Sequence, residues 1–210
     1  MKIRIKRRNI ELALLFGLIC AAALSMARFD AACDSLRGGV LRLHIRANSD
    51  SAEDQAVKIA VRDALLEETD EIFLNSSDLS SAEKSARENT GRLTAAANRV
   101  LAEKGFEYTA SVEIGDAYFE NRDYDGFTLP AGTYRSLIVR LGKGRGKNWW
   151  CVVFPPLCAE SVTDVAETAM SAGFSEDDVK LMTEEENGYV LKFKSIELWQ
   201  KLKAYLSRER

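Results

Sequence analysis

Residues Trp149 to Phe154 form an unbroken apolar run that stops at Pro155-Pro156. Proline cannot continue a β-ladder, so the run reads as a strand with a sharp end. A strand without a polar face has to be covered above and below. This stretch therefore predicts a central strand in a sheet with layers on both faces. Trp149 and Trp150 are adjacent, so they point to opposite faces. One fills the core. The other is either covered by a helix, the simpler account, or exposed as a contact anchor beside the Pro-Pro corner.

The rest of the body supplies the layers. Leu41, Leu43 and Ile45 alternate with Arg42, His44 and Arg46, the period of a half-buried strand. Asp50 with Glu53, and Ser51 with Asp54, have capping-box spacing, and a helix is predicted over about 52–73. Ser80 with Glu83 opens a second helix whose stripe is Leu93, Ala96, Ala97, Val100 and Leu101, ended at Gly105. Phe106 to Ile114 alternates cleanly as a strand. Residues 118–124 suggest another, and Leu137, Val139 and Leu141 a further one. Val162, Val165, Ala166 and Ala169 suit a helix closed by Gly173, and Ser175 begins a short one. Tyr189, Leu191 and Phe193 read as a strand. Ser195 caps a last helix carrying Leu198, Trp199, Leu202, Tyr205 and Leu206. The fold class is α+β: a single mixed, mostly antiparallel sheet with helices packed on it, over residues 40–210 as one domain.

Ahead of this body lies a different kind of sequence. The first 27 residues hold five bases (Lys2, Arg4, Lys6, Arg7, Arg8) against one acid, Glu11. The remaining 24 bases and 31 acids give residues 28–210 a charge of −7. Leu12 to Ala27 is apolar apart from Gly17 and Ser25. Residues 1–27 thus read as a signal peptide or an uncleaved membrane anchor, with Ser25-Met26-Ala27 supplying small residues for a cut before Arg28. Either way the basic end stays cytoplasmic and the body is exported. Residues 28–39, short, polar and ended by Gly38-Gly39, read as a linker. An acidic body argues against nucleic-acid binding, which needs clustered positive charge.

No catalytic constellation is visible. His44 is the only histidine, which excludes multi-histidine metal sites. Gly142 to Gly146, followed by Lys147, superficially suggests a phosphate cradle, but both neighbours read as strands and the Walker spacing is lacking, so a mobile basic hairpin is expected. Cys151 and Cys158 are close enough to bridge across the Pro-Pro bend, or to stay as two buried thiols. No metal, cofactor or small-molecule substrate is expected.

Two blocks carry more information than any of these. The first is Leu41-Arg42-Leu43-His44-Ile45-Arg46-Ala47-Asn48-Ser49-Asp50-Ser51, with Glu53-Asp54-Gln55 and Val61-Arg62-Asp63. The second runs from Pro130-Ala131-Gly132-Thr133-Tyr134 through the glycine loop to Asn148-Trp149-Trp150-Cys151-Val152-Val153-Phe154-Pro155-Pro156-Leu157-Cys158. Together they resemble the stage II sporulation protein R family of endospore-forming Gram-positive bacteria. Leu129 departs from the aromatic residue expected before the proline, and the last 50 or so residues match no motif. The resemblance implies a protein made in the forespore and exported into the space between the forespore and mother-cell membranes, secreted or membrane-anchored. There it activates a membrane-embedded aspartic protease that processes the sigma-E precursor, and it is not itself an enzyme. Partner-contacting residues expected on this basis are His44, Asn48, Asp50, Arg62, Asp63 and Asn148, with Trp149 or Trp150 as anchor. The rival classes are an extracytoplasmic enzyme, either a wall hydrolase or a thiol oxidoreductase working through Cys151 and Cys158, and a wall- or membrane-binding module.

Overall fold

The computed structural model describes residues 7–158 and 164–183. In chain order these form α1 (Arg7–Gly39), β1 (Leu41–Arg46), α2 (Ala52–Phe73), α3 (Leu79–Glu88), α4 (Thr90–Glu103) and β2 (Ala110–Phe119). Then follow β3 (Arg122–Tyr124), β4 (Phe127–Leu129), β5 (Gly132–Leu141), β6 (Asn148–Phe154), α5 (Val165–Ser171) and α6 (Glu176–Thr183). The architecture is α+β. Four strands make a mixed sheet in the order β2-β5-β1-β6, and β3 and β4 form a separate two-stranded sheet. β1 runs parallel to β5, while β1–β6 and β2–β5 are antiparallel.

Register sorts the residues onto two faces. Leu43 lies opposite Leu137 and Cys151, and Ile45 opposite Val139 and Trp149. This face packs on Val57, Val61 and Leu65 of α2 and on Leu93, Ala97 and Leu101 of α4. Arg42 lies opposite Ser136 and Val152, and His44 opposite Ile138 and Trp150. Cover over this second face comes from the end of α1, the β3–β4 hairpin, α5 and α6, through Cys33, Leu36, Phe127, Leu129, Ala169 and Phe174. Among the described residues, helices α2 to α4 therefore cover one side of the sheet, and the end of α1, the β3–β4 hairpin, α5 and α6 the other.

The structure corrects several expectations. Residues Cys151 to Phe154 are buried on both faces, but β6 is not central. Among the described residues it lies at the edge, beside β1. Continuous apolarity reports what lies above and below a strand, not what lies beside it. The second helical region divides at Asn89, whose φ of −105° and ψ of 11° leave the helix, and its first half is capped by Asp78 with Ser81 rather than by Ser80 with Glu83. The strand expected from Phe106 begins at Ala110, because its partner β5 ends at Leu141 opposite that residue. Gly105, at φ +78°, follows α4 in the left-handed conformation.

Residues 28–39 are the last turns of α1 and not a linker. Phe29, Ala32, Cys33 and Leu36 fall on one helical stripe and pack into the second face. The polar residues between them are satisfied locally. Arg37 donates to the Ala131 carbonyl at 2.9 Å, to Asp30 at 3.1 Å and to Asp34 at 2.7 Å. Upstream the same helix is bare, and from Leu12 to Ser25 its apolar side chains are exposed apart from a half-buried Cys20. Among the described residues, α1 is the one helix long and apolar enough to cross a membrane. Val162, the strand expected at Tyr189–Phe193 and the helix from Ser195 lie outside the described residues.

Candidate functional site

β5 and β6 follow one another in sequence but are separated by β1 in the sheet. Gly142–Lys147 therefore cannot be a hairpin. It arches over the end of β1, and its backbone is tied to the β1–α2 loop beneath. Gly146 N–H donates to the Ala47 carbonyl at 2.8 Å and Arg145 N–H to the Asn48 carbonyl at 3.2 Å. Lys143 N–H donates to Asn48 Oδ1 at 3.0 Å, and Lys147 N–H to Asp50 Oδ1 at 2.6 Å. The crossing explains the glycines. A Cβ at Gly146 would collide with the Ser49 carbonyl oxygen, and Gly142 sits at φ +53°. It also removes the phosphate-cradle reading, since these amide donors are used inside the fold.

Beneath the arch, Asp54 gathers the loop. Ser51 caps α2 by accepting from Asp54 N–H. The Asp54 carboxylate does not complete a capping box. It accepts instead from Asn48 Nδ2 at 2.9 Å, from the Ser49 hydroxyl and from the Tyr108 hydroxyl. Desolvation works to raise this carboxyl, but the donors Ser49, Tyr108 and Asn48 together hold it below its ordinary value. Burial, and then the bond to Asp54, push the Tyr108 phenol up. Lys58 is buried on α2 and bonds the Gln55 side chain at 2.6 Å and the Lys147 carbonyl at 3.2 Å.

Beside the arch stand the two tryptophans. They point to opposite faces, and neither is simply core or simply exposed. Both are half-buried, and each carries a guanidinium over its ring: Arg62 at 5.2 Å from Trp149, and Arg122 at 4.0 Å from Trp150. Arg62 is also paired with Asp63. Trp150 packs against His44, with ring centroids 5.8 Å apart. His44 Nε2 lies 2.9 Å from Asn148 Oδ1, so the neutral ring donates from Nε2. Burial pushes the His44 imidazole below its ordinary value, and Arg46, Arg140 and Arg42 add to the effect against the Asn148 bond. One strand step further in, Arg42 is wholly buried, 3.8 Å above the Phe119 ring and 4.7 Å from that of Tyr134. Its Nη2 bonds the Tyr124 hydroxyl, while Nε and Nη1 are buried without hydrogen-bond partners.

The sequence model of the family described as stage II sporulation protein R (spore_II_R) matches residues 37–164. A stage II sporulation protein R from Bacillus subtilis (strain 168) is 32% identical over 159 residues, covering 73% of this chain and 71% of the relative. The chain belongs to the stage II sporulation protein R family. That membership gives it a role in sporulation. No solved structure matches it. The family match begins at Arg37, inside the last turn of α1. It takes in the whole four-stranded sheet and stops at Asp164, one residue before α5.

Within this family member the residues singled out from sequence fall at one end of the β1–β6 pair, but they divide by environment. Asn48, half-buried, and Asp50, exposed, hold the arch through the Lys143 and Lys147 amides. His44, Asn148 and Trp150 lie on the second face, and Arg62, Asp63 and Trp149 on the α2 side. Sequence reasoning missed Asp54 and Tyr108 as the centre of the loop, although Asp54 had been placed in a capping box. It also missed Arg42 and Arg122, whose partners lie about 80 and 30 residues away in the chain. A disulfide joins Cys151 to Cys158. Cys151 is wholly buried and Cys158 half-buried. Among the described residues no group of three or more His, Cys, Asp or Glu side chains could hold a metal ion.

Proposed function

We propose that this sporulation protein is an exported, non-enzymatic signal. In this reading it is made in the forespore and acts from the space between the two membranes on a membrane-embedded aspartic protease of the mother cell, which then processes the sigma-E precursor. The observation that carries the reading is α1. In a chain of a sporulation family, an exposed apolar helix runs without a break into the buried core of the body. Such a chain has its body on the far side of the membrane its basic end cannot cross, whether or not the leader is later cut. The non-enzymatic part of the reading is supported by the candidate site, whose polar groups are engaged with one another rather than converging on an open cleft, as an active site would require.

The test is co-expression of the full chain with the protease and the precursor in a non-sporulating host. Precursor processing that depends on this chain, and that disappears when residues 1–27 are deleted, is the expected outcome. Absence of processing with all three proteins present and membrane-inserted overturns the activator reading.

A further inference from the structure

We propose that the groove between the end of α2, the Phe154-Pro155-Pro156 corner and α5 is the surface on which the membrane partner docks, through an extended segment bearing an apolar side chain beside a Lys or Arg. This rests on the activator reading above and gives it a contact surface at the opposite end of β6 from the arch.

The groove has a volume of about 640 Å³ and opens to solvent. Its apolar lining is Phe73 at the end of α2, the Leu74 that follows it, and Phe154, Pro155 and Pro156, with Phe73, Phe154 and Pro155 buried. Leu74 is 80% exposed. The walls are acidic, with Asp70 on one side and Asp164 and Glu167 on the other, and among the described residues no Lys or Arg lines it. Asp164 caps α5 through the Glu167 amide. Asp70 and Glu167 take part in no ion pair among the described residues, unlike Glu68 and Glu71, which meet Arg92 on the outer side of α2. Burial without a counter-charge raises the Asp70 carboxyl. The Ser76 hydroxyl is buried in the groove wall and has no hydrogen-bond partner.

Each feature names part of the occupant. The exposed Leu74 calls for an apolar side chain, and the unpaired carboxylates for an ammonium or guanidinium. An acidic rim repels phosphate, which excludes nucleic acid and anionic lipid head groups as occupants. The corner also belongs to the sequence block that carries the family resemblance. By contrast, the polar groups around the arch are already engaged within the fold.

The experiment uses the full chain in the same co-expression host. A photo-crosslinking residue is placed singly at Leu74 and at Thr168 in the groove, and at Lys143 on the arch as control. Asp70→Lys with Glu167→Lys is assayed for processing, and Glu167→Lys alone serves as the variant whose exposed position leaves the fold intact. Expected are cross-links to the protease from Leu74 and Thr168 but not from Lys143, a tenfold or greater loss of processing in the double variant, and a partial loss in the single one. Normal processing in both charge variants, with cross-links from Lys143 alone, overturns the groove and leaves the activator reading standing. Groove cross-links with no processing by the wild-type chain keep the groove and overturn the activator reading. Neither cross-links nor processing overturns both.

Discussion

The two faces of the sheet are built from the same strands but solve burial differently. Toward α2 and α4, residues such as Leu43, Ile45, Leu137 and Val139 are all aliphatic and close-packed. Toward α1, β3–β4, α5 and α6, the equivalent positions of β1 are Arg42 and His44, and both are buried. On the first face cohesion is the removal of apolar area from water. On the second, a guanidinium is held among aromatic rings and an imidazole is paired with an amide. The difference teaches that a polar half of an alternating strand is not a solvent face. It can be a second interior, provided aromatic side chains arrive from elsewhere to receive the charge.

The largest test of that comparison removes one residue from each face. Leu43→Ala leaves a cavity in the aliphatic face and should cost about 3–5 kcal/mol in urea unfolding. Arg42→Ala should cost a similar amount through lost packing on Phe119 and Tyr134. Arg42→Met, which keeps the bulk and removes a buried, partly unpaired charge, should instead lie within about 1 kcal/mol of wild type or above it. If Arg42→Met unfolds as readily as Arg42→Ala, the charge and not the bulk holds the second face.

The next effect concerns the edge where the faces meet. Cys158 packs against both cores and closes the loop that carries the Pro-Pro corner. Cys158→Ser should lower stability by about 2–3 kcal/mol on the chain-entropy account. Dithiothreitol should lower the wild type to the same level and leave the variant unchanged. A smaller loss, about 1–2 kcal/mol, is expected for Asn48→Ala. It unpins Lys143 N–H and leaves Asp54 one donor short. Faster amide exchange at Lys143 and Arg145 would show the arch loosening before the body unfolds.

The smallest effect is a pH dependence confined to the second face. The folded state holds the His44 imidazole below its ordinary value, so the fold favours the neutral ring. That contribution is complete above the unfolded histidine value, about pH 6.5, and is lost as pH falls toward the lower folded value. Wild-type urea midpoints should fall between pH 7.5 and 5.5. With no other histidine in the chain, His44→Gln should flatten that interval. An unchanged slope in the variant would assign the dependence to carboxylates instead.

Much of the site was legible in particular residues. The alternation of Leu41 to Arg46 gave β1 its faces, and the Trp149–Trp150 pair had to divide between them. Ser51 with Asp54 located the start of α2. The arch was not legible. Two runs joined by Gly-Lys-Gly-Arg-Gly read as a hairpin, because local sequence does not say that a third strand, about 100 residues earlier, lies between them. The last turns of α1 were misread for a related reason. Asp30, Asp34 and Arg37 look solvated in sequence, and only the fold shows them bonding to one another and to the Ala131 carbonyl while Cys33 and Leu36 are buried.

By itself, the sequence determined the secondary-structure periods, the α+β class, the separation of an apolar basic-headed leader from an acidic body, and the blocks that mark the family. Those are properties of neighbours along the chain, where side-chain period and charge act directly. Only the tertiary structure decided that β1 enters between β5 and β6, that β6 lies at the edge of the described sheet, that Arg42 finds an aromatic cage, and that the Pro-Pro corner faces α5 across an acidic groove. Each depends on which distant segments meet, and that is set by the joint burial of two faces rather than by any one segment's pattern.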